Sequence, residues 1–432
     1  MRTQPVQLAR DPFRGLGAQE GTAVEPDSFS HGSTLVAAYQ VGRFVDGGAL
    51  AIGFSATRNA GQTWRSGLLP SLSRAAKPSG AAEFVADPSV AYDAKHRYWL
   101  IASLAALRSA DTVVVSRSRN GVAWQTPITA VRSETLDKNW IACDNWLGSP
   151  HRGNCYLVFL IDNPLDAIVM RTSRDGGRTW SHNVVVARGT EANQTVNGAQ
   201  PLVRPSGTVV VAYTALAGFA TGGPHTIAVA RSTDGGASFG AQEEVSSIVG
   251  QFFINGVRAP QFVSGDVDGG GTVYLTWHDC PDYECTGTDV VFSRSTNGTD
   301  WTEPQSLPAA PGRTSDDALL PALAVAPGTR GTKAKLAVAY YSLRCAWLEA
   351  CSLDAFLNRS PDGGRSWRPP ERINPKTMKL EWVADTNIGR MVGDYISTSF
   401  LGLRPVPVLA LASAPAGGRF NQAIFASRLP PS

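Results

Sequence analysis

The sequence predicts an all-β fold, a β-propeller of seven four-stranded blades. Three observations predict it: one turn motif recurs six times, short apolar runs surround each copy, and segments near the two ends of the chain complement each other. Dividing the 432 residues by the spacing of the motif gives about seven units. We therefore expect a single domain over residues 1–432. A six-bladed ring with an irregular C-terminal extension is the alternative.

The recurring motif is Ser or Thr, then Asp or Asn two residues later, a glycine-containing turn, and finally Trp or Phe. Copies begin at Thr57, Ser118, Ser173, Ser232, Ser295 and Ser360, with a mean spacing of about 61 residues. An Asp or Asn side chain accepts hydrogen bonds from backbone amides two or three residues later, and glycine adopts positive φ readily. Each copy is therefore a tight turn between two strands, after which the aromatic ring is buried against the blade.

Continuous apolar runs predict the second strands of the blades, for example at residues 98–102, 156–161 and 335–340. Such runs are typical of strands buried on both faces, which stacked blades would provide. Beyond the last motif, residues 393–400, 406–411 and 422–426 supply three strands. Residues 5–8 supply the fourth, so the N- and C-terminal segments together close the last blade and hide its edges.

Composition limits the functional classes. Charged residues make up 17% of the chain and the net charge is +3, too weak a basic bias to predict binding to nucleic acid or to an anionic membrane. No apolar run is long enough to span a membrane. Six cysteines form three close pairs, which predict local disulfides in an oxidising compartment: Cys143/Cys155, Cys280/Cys285 and Cys345/Cys351. We expect a secreted monomer whose secretory leader has been removed.

Propeller geometry places the candidate site on the face opposite the turn motifs. That face is built by loops entering each first strand and by loops joining second strands to third strands. Two of the predicted disulfides would stiffen loops there. The polar and aromatic residues of these loops form the following ring: Glu25, Asp27, Arg43, Asp87, Asp137, Lys138, Trp140, Asp162, Asp166, Asn197, Gln200, His225, Arg258, Gln261, His278, Asp279, Asp282, Asp316, Asp317, Arg344, Trp347, Trp382, Asp385, Arg390, Asp394 and Tyr395.

The six motifs resemble the Asp-boxes, or BNR repeats, of the sialidase-like propeller superfamily. The segments at 24–27, 137–140 and 393–395 are similar to those of secreted bacterial sialidase family proteins. The resemblance covers nearly the whole chain and implies a glycoside hydrolase acting on an acidic or extracellular glycan, or on another small polar substrate. The Arg-Ile-Pro element of sialidases is absent, since residues 13–16 read Phe-Arg-Gly-Leu.

In sialidases a Tyr nucleophile works with a Glu, while three Arg bind the sugar carboxylate. The resemblance thus implies that Tyr395 is the nucleophile and that Asp87 or Asp27 is the acid/base residue. Its implied substrate-binding residues are Arg258, Arg344 and Arg390, with Arg43 as a further clamp and Lys138, Trp140 and Asp394 beside them.

Two other functions remain open. In a polysaccharide lyase, His278 or His225 would work with Arg258 and Tyr395 on a uronic-acid glycan. In a non-catalytic propeller that binds a glycan or a protein, Trp140, Trp347 and Trp382 would stack on the ligand. We expect no cofactor. A structural Ca²⁺ held by Asp27, Asp87, Asp137 or Asp394 is the alternative.

Overall fold

The computed structural model describes residues 5–162, 167–189, 194–217, 225–249, 253–280, 287–313, 315–346, 350–427 and 429. The described chain is nearly all β, as the sequence predicts. Its helical segments are two single 3₁₀ turns, η1 (Gly331–Lys333) and η2 (Leu380–Trp382). Within the described ranges, no helix has the length and apolar character needed to cross a membrane.

Most strands belong to seven antiparallel groups of four, each called a sheet and numbered below. Sheet one contains β2 (Ala23–His31), β3 (Thr34–Arg43), β4 (Ala49–Thr57) and β5 (Arg65–Leu68), and sheet two contains β6 (Phe84–Asp93), β7 (Tyr98–Leu107), β8 (Ala110–Ser118) and β9 (Ile128–Ser133). Sheet three contains β10 (Leu136–Cys143), β11 (Cys155–Ile161), β12 (Ala167–Ser173) and β13 (Val184–Arg188), and sheet four contains β14 (Gln194–Val203), β15 (Val209–Ala217), β16 (His225–Ser232) and β17 (Glu243–Ile248). One residue pair, Ala49 with Val85, joins sheets one and two.

The remaining sheets follow the same order. Sheet five contains β20 (Ser264–Val267), β21 (Val273–Asp279), β22 (Asp289–Ser295) and β23 (Gln305–Ser306), and sheet six contains β24 (Asp317–Val325), β25 (Leu336–Cys345), β26 (Cys351–Ser360) and β27 (Glu371–Arg372), with β28 (Met378–Lys379) also on β26. Sheet seven contains β31 (Ser397–Leu401), β32 (Arg404–Ala416), β33 (Arg419–Ala426) and β1 (Val6–Ala9). Because β1 pairs with β33, the predicted closure by the two ends of the chain is confirmed.

An additional small sheet stands outside these groups and is called the accessory sheet. It consists of β18 (Phe253–Ile254), β19 (Val257–Arg258), β29 (Ala384–Thr386) and β30 (Gly389–Met391). Its two halves come from segments far apart in the chain, which meet where Val257 of β19 pairs in parallel with Arg390 of β30.

Hydrogen bonds join the first strands of the seven sheets into a closed ring. Each first strand bonds to the next, and the seventh returns to the first. The links are Asp27 Oδ2 to Val90 N (2.7 Å), Asp87 O to Asn139 Nδ2 (3.0 Å), Asp137 Oδ2 to Asn197 Nδ2 (3.5 Å), Gln200 Oε1 to Gly265 N (3.1 Å), Asp266 Oδ2 to Val325 N (2.7 Å), Ala322 O to Thr398 Oγ1 (2.8 Å) and Ser397 Oγ to Ser28 N (2.9 Å).

The hydrophobic core is divided among the spaces between neighbouring sheets. For example, Leu100 and Val113 of sheet two pack with Leu157 and Phe159 of sheet three. Equivalent clusters fill the other interfaces, and the largest spans sheets six, seven and one. The sheets therefore surround a common axis, as the blades of a propeller do.

The turn motifs have the predicted local structure. In the third copy, Asp175 Oδ1 accepts hydrogen bonds from the backbone amides of Arg178 (3.0 Å) and Thr179 (2.9 Å). Ser173 Oγ donates to the same carboxylate and accepts from the amide of Gly177, whose φ is +76°. Each copy's terminal aromatic ring packs against a different core cluster, as predicted: Trp64, Trp124, Trp180, Phe239, Trp301 and Trp367.

Two predicted disulfides are confirmed, and both link residues that face each other across paired strands. Cys143–Cys155 joins β10 to β11, and Cys345–Cys351 joins β25 to β26. The pairing of Cys280 with Cys285 stays a prediction, because Cys285 lies outside the described residues.

Candidate functional site

The same backbone irregularity occurs in five of the seven first strands. Strands β2, β6, β10, β14 and β24 each contain a β-bulge at an equivalent place. Each bulge holds one residue at positive φ: Glu25 (51°), Asp87 (47°), Lys138 (45°), Gly198 (67°) and Leu320 (54°). For a residue other than glycine this conformation costs about 1–2 kcal/mol, and such strain concentrates at functional sites. Three of the five residues carry charges.

The side chains of Glu25 and Asp87 meet at the ammonium group of Lys138. Its Nζ lies 3.0 Å from Asp87 Oδ1, 3.5 Å from Glu25 Oε1 and 2.7 Å from Asp394 Oδ2. Asp394 also binds Arg258, whose Nε donates a hydrogen bond to Asp394 Oδ1 at 2.6 Å. The backbone amide of Asp394 in turn donates to Glu25 Oε1 at 3.0 Å. The ring thus brings together residues that are hundreds of positions apart in the chain.

The cluster forms the floor of a cavity of about 570 Å³. Its walls come from sheets one, two and three, from the accessory sheet and from the segment before β31. The charged and amide residues lining it are Glu25, Gln40, Arg43, Asp46, Glu83, Asp87, Asp111, Asp137, Lys138, Arg258 and Asp394. It is lined by Arg43 and Phe44 at the end of β3, whereas the first turn motif bonds through Ala60 to Ser33 before β3. The cavity and the first turn motif therefore lie at opposite ends of β3.

Burial and neighbouring charges shift the pKa values of the cluster's carboxyl groups in opposite directions. Burial raises the pKa of Glu25 to about 7, and the adjacent Lys138 ammonium limits that rise. Burial likewise raises the pKa of Asp87, again against Lys138. At Asp394, the positive charges of Lys138 and Arg258 outweigh the effect of burial and hold the pKa of the carboxyl group far below its usual range. Near neutral pH the cavity therefore offers a permanently ionised carboxylate and a Glu25 close to half-protonated.

Two buried polar atoms of β3 border the cavity without a hydrogen-bond partner among the described residues. They are Oε1 of Gln40 and Nε of Arg43, whose residues are only 2% and 3% exposed. The amide nitrogen of Gln40 donates to Glu25 Oε2, and the guanidinium of Arg43 donates to the carbonyl of Phe44. Buried polar groups are nearly always paired, so these two atoms are exceptions in the wall of the cavity.

Of the residues to which the sequence analysis assigned a catalytic or substrate-binding role, five line the cavity and the others lie elsewhere. Asp87, Lys138, Asp394, Arg43 and Arg258 line it. Asp27 instead links sheets one, two and seven by accepting hydrogen bonds from Val90 N and Ser397 Oγ. Burial raises the pKa of Asp27 to about 7, but its carboxylate is held by these links and does not line the cavity.

The predicted nucleophile and base lie outside the cavity. Tyr395 is buried behind Lys138, and its hydroxyl donates to the carbonyl of Pro88 at 3.1 Å. Burial raises its pKa well above the usual value, so the phenolate is disfavoured. His278 is fully buried in β21, where burial lowers its pKa to about 4. Trp140 packs edge-on against Tyr395, with ring centroids 5.0 Å apart, and is likewise outside the cavity.

Two predicted arginine clamps have other partners. Arg344 forms an ion pair with Asp316 (2.8 Å) on sheet six. Arg390 donates to the carbonyl of Val383 (3.1 Å) in the accessory sheet. Asp166, Asp282 and Trp347 lie outside the described residues.

Sequence reasoning ranked some cavity residues too low or missed them. Glu25 and Asp137 were only two of many polar residues in the predicted ring, and Gln40, Asp46, Glu83 and Asp111 were not singled out. The sequence carried one usable signal for Gln40, which directly follows the largely apolar run at residues 35–39. Within the described ranges, no group of three or more His, Cys, Asp or Glu side chains is arranged to hold a metal ion.

Comparison with known proteins shows the fold. No protein-family model and no curated protein matches the chain. A protein of unknown function from Dyadobacter fermentans is 15% identical, covering 100% of this chain and 99% of that chain with a TM-score of 0.51. The PL25 ulvan lyase, a polysaccharide lyase, is 13% identical, covering 98% and 96% with a TM-score of 0.58. The NanB sialidase of Streptococcus pneumoniae is 12% identical, covering 79% and 67% with a TM-score of 0.52. The chain thus shares its overall fold with these structures, which include a polysaccharide lyase and a sialidase.

Proposed function

We propose that the seven sheets are the blades of one seven-bladed propeller domain, and that the six turn motifs are Asp-boxes. The closed ring of hydrogen bonds between first strands and the core clusters between neighbouring sheets support this. We further propose that the protein is a secreted monomer. Its two disulfides support an oxidising compartment, because such bonds persist there and are rare in the cytosol.

We propose that the protein is a glycoside hydrolase whose catalytic pair is Glu25 and Asp87. One observation carries the proposal: two carboxyl groups and a third, permanently ionised one converge on Lys138 at the floor of the axial cavity. Since 3.5 Å and 3.0 Å separate Glu25 and Asp87 from the same nitrogen, their nearest oxygens are no more than 6.5 Å apart. This upper limit is compatible with the separation of about 5–5.5 Å between the paired carboxyl groups of retaining glycosidases.

The distances of the two groups from Lys138 assign their roles, because the nearer carboxyl group, that of Asp87, is held more strongly in its ionised form. Glu25, with a pKa of about 7, can donate its proton to the glycosidic oxygen as the bond to the anomeric carbon breaks. Asp87, bonded to Lys138 in its ionised form, either attacks the anomeric carbon or removes a proton from the attacking water. Lys138 keeps the two carboxyl groups in place and favours their ionised forms against the effect of burial.

Arg43 supports an acidic glycan as the substrate. Its guanidinium is almost wholly buried, borders the cavity and has an Nε donor without a partner among the described residues. Guanidinium groups bind planar carboxylates with paired hydrogen bonds. A uronic acid or another carboxylated sugar would complement the positive charges of Arg43, Lys138 and Arg258, which line the cavity.

A polysaccharide lyase is the second candidate, favoured by the likeness to the ulvan lyase over 98% of this chain. A structure of that lyase contains the saccharide -[GlcA(1-4)Rha3S]-. In β-elimination, Arg43 and Lys138 would neutralise the uronate carboxylate, and a base would remove the proton from the adjacent carbon. The described cavity lining contains neither His nor Tyr, so a carboxylate would have to be that base.

The deciding experiment is a screen of acidic polysaccharides that follows new reducing ends and ultraviolet absorbance together. Hydrolysis gives reducing ends without absorbance, whereas elimination gives an unsaturated, absorbing product. We expect reducing ends alone, and a loss of about 10²–10⁴-fold in kcat for Glu25→Gln. Glu381→Gln is the matched control, because Glu381 is exposed and pairs only with Lys379 among the described residues. Binding without turnover would instead support the non-catalytic alternative, and Glu25→Gln activity equal to the control would refute the assignment.

A further inference from the structure

The accessory sheet forms part of the cavity wall as well as standing outside the seven sheets. Arg258 of β19 lines the cavity and holds Asp394. Phe253 of β18 is its direct partner across the antiparallel pair, so the two side chains lie on the same face of the sheet. Phe253 is 52% exposed although it is a large aromatic residue. The wall thus carries a partly buried charge at the cavity and an exposed ring beside it.

Exposed apolar side chains continue from Phe253 along the edge of the cavity, and this set is called the rim. It consists of Phe253, Ile388 (39% exposed), Val45 (46%) and Phe84 (43%). Contacts between their neighbours connect them. Gly389, next to Ile388, lies so close to the ring of Phe253 that an added Cβ atom would be 2.5 Å from it. Asn387, on the other side of Ile388, donates its backbone N–H to Val45 O (3.3 Å). Gly48, in the loop that carries Val45, lies so close to the ring of Phe84 that an added Cβ atom would be 2.8 Å from it.

The rim is continuous with the cavity. Phe84 itself lines the cavity, as do Phe44 and Gly48 of the loop that carries Val45. Acidic residues alternate with the apolar ones at this edge, since Asp46 and Glu83 also line the cavity. A ligand that extends out of the cavity on this side must therefore cross a surface that is apolar in places and charged in others.

We propose that the rim binds the sugar units next to the one held in the cavity, so that the substrate is a glycan polymer rather than a terminal sugar. The proposal rests on the proposed function of the cavity. A sugar ring has an apolar C–H face and polar edges, and an aromatic ring such as Phe253 or Phe84 buries that face. Exposed apolar residues of this kind, next to a polar pocket, mark a binding surface.

The test compares a polymer with a short oligosaccharide of the same glycan, using Phe253→Ala and the double variant Phe253→Ala/Ile388→Ala, because neither residue lines the cavity itself. Each contact of this type contributes about 0.5–1.5 kcal/mol, which corresponds to about a 2- to 12-fold change. We expect KM for the polymer to rise within that range, with kcat unchanged and kcat/KM for the oligosaccharide within twofold of wild type. Leu403→Ala is the control, because Leu403 is 45% exposed in the turn between β31 and β32.

Affinity electrophoresis in gels containing the polymer, with Glu25→Gln as the background, gives a readout independent of turnover. We expect the rim variants to be retarded less than the control. If the wild-type protein cleaves or binds the polymer while the rim variants match Leu403→Ala, the rim proposal alone is refuted. If polymer and oligosaccharide are affected equally, it is also refuted. If the wild-type protein neither binds nor cleaves any glycan, the proposed function fails and the rim proposal fails with it.

Discussion

Asp362 in the last turn motif and Glu25 in the cavity are both carboxylic acids held by hydrogen bonds, but their partners differ in kind. Asp362 accepts from the backbone amides of Arg365 (3.0 Å) and Ser366 (2.8 Å), all within four residues. Glu25 relies on Lys138 and on the amide of Asp394, which is 369 positions away. A locally satisfied carboxylate stabilises a turn wherever that turn occurs. A carboxyl group whose hydrogen-bond partners are distant in sequence is paired with them only when the ring has closed.

The two environments shift acidity in opposite directions. Hydrogen bonds from the turn outweigh burial and lower the pKa of Asp362. The equivalent Asp234 has its pKa lowered to about 2. Burial raises that of Glu25 to about 7. The turn carboxylates are therefore stabilised in their charged form, whereas the cavity keeps a carboxyl group poised between its two forms.

The largest stability effect should come from removing the cation on which the long-range cluster depends. In Lys138→Met, the carboxyl groups of Glu25, Asp87 and Asp394 lose their shared ammonium partner while remaining buried. Breaking a buried charge network in this way costs about 3–5 kcal/mol. We expect that loss in denaturant unfolding at neutral pH, and a smaller loss at pH 5, where Glu25 is protonated.

The control for this substitution is Lys379→Met. Lys379 is 64% exposed and pairs at 3.5 Å with the exposed Glu381, so its loss should change the free energy of unfolding by less than about 0.5 kcal/mol. Equal effects of the two substitutions would show that the central cluster contributes no more than a surface ion pair.

The turn motifs should give an intermediate effect, confined to stability. Asp362→Ala removes the acceptor for two backbone amides and for the Ser366 hydroxyl, and should cost about 1–2 kcal/mol. Asp362→Asn should recover most of this, because three natural copies of the motif use Asn. Turnover should match wild type in both variants. A loss of turnover at full stability would contradict the separation between the two ends of the ring.

The opposite acidity shifts predict opposite pH dependences. For Glu25 the folded-state pKa of about 7 exceeds the usual 4.5, so the folded protein binds more protons between these values and its stability falls as pH rises from 4.5 to 7. For Asp362 the folded-state pKa is depressed, so its contribution is present above the unfolded value and is lost as pH falls below it.

We expect Glu25→Gln to flatten the decline in unfolding free energy between pH 5 and 7, by at most about 1.4 kcal/mol per pH unit. Asp27 and Asp266 have raised pKa values of about 7 and 6, so part of the decline persists. Asp362→Ala should leave the pH dependence of the unfolding free energy unchanged between pH 5 and 7, and should change it only at lower pH. An unchanged slope in Glu25→Gln would show that Glu25 is ionised throughout.

The smallest effect should follow Tyr395→Phe. Losing the hydroxyl removes one hydrogen bond to the carbonyl of Pro88 and should cost about 1 kcal/mol. Turnover should stay within twofold of wild type, because the ring lies behind Lys138 and outside the cavity. A loss of several orders of magnitude in kcat, with the fold intact by circular dichroism, would instead restore Tyr395 as the nucleophile.

The fold was readable from the sequence because its signals are local. Each turn motif contains its own donors and acceptors, and the cysteines of both observed disulfides are close in sequence. The site was only partly readable. The side chains of Glu25, Asp87 and Lys138 point into the cavity because each residue lies in a bulge at positive φ. No local sequence pattern predicts such a bulge. Tyr395 looked accessible because the sequence does not show that its hydroxyl is bonded to Pro88. The accessory sheet joins two segments more than a hundred residues apart, so its contribution to the cavity was invisible.

The origin of the cavity residues has a further consequence. Glu25, Asp87, Lys138, Arg258 and Asp394 come from five separate parts of the chain: three different sheets, the accessory sheet and the segment before β31. A chain divided in a loop between two sheets would leave neither fragment with a complete set. The proposed activity, measured in a mixture of such fragments, would then report their reassociation, because the signal would arise only when both pieces come together.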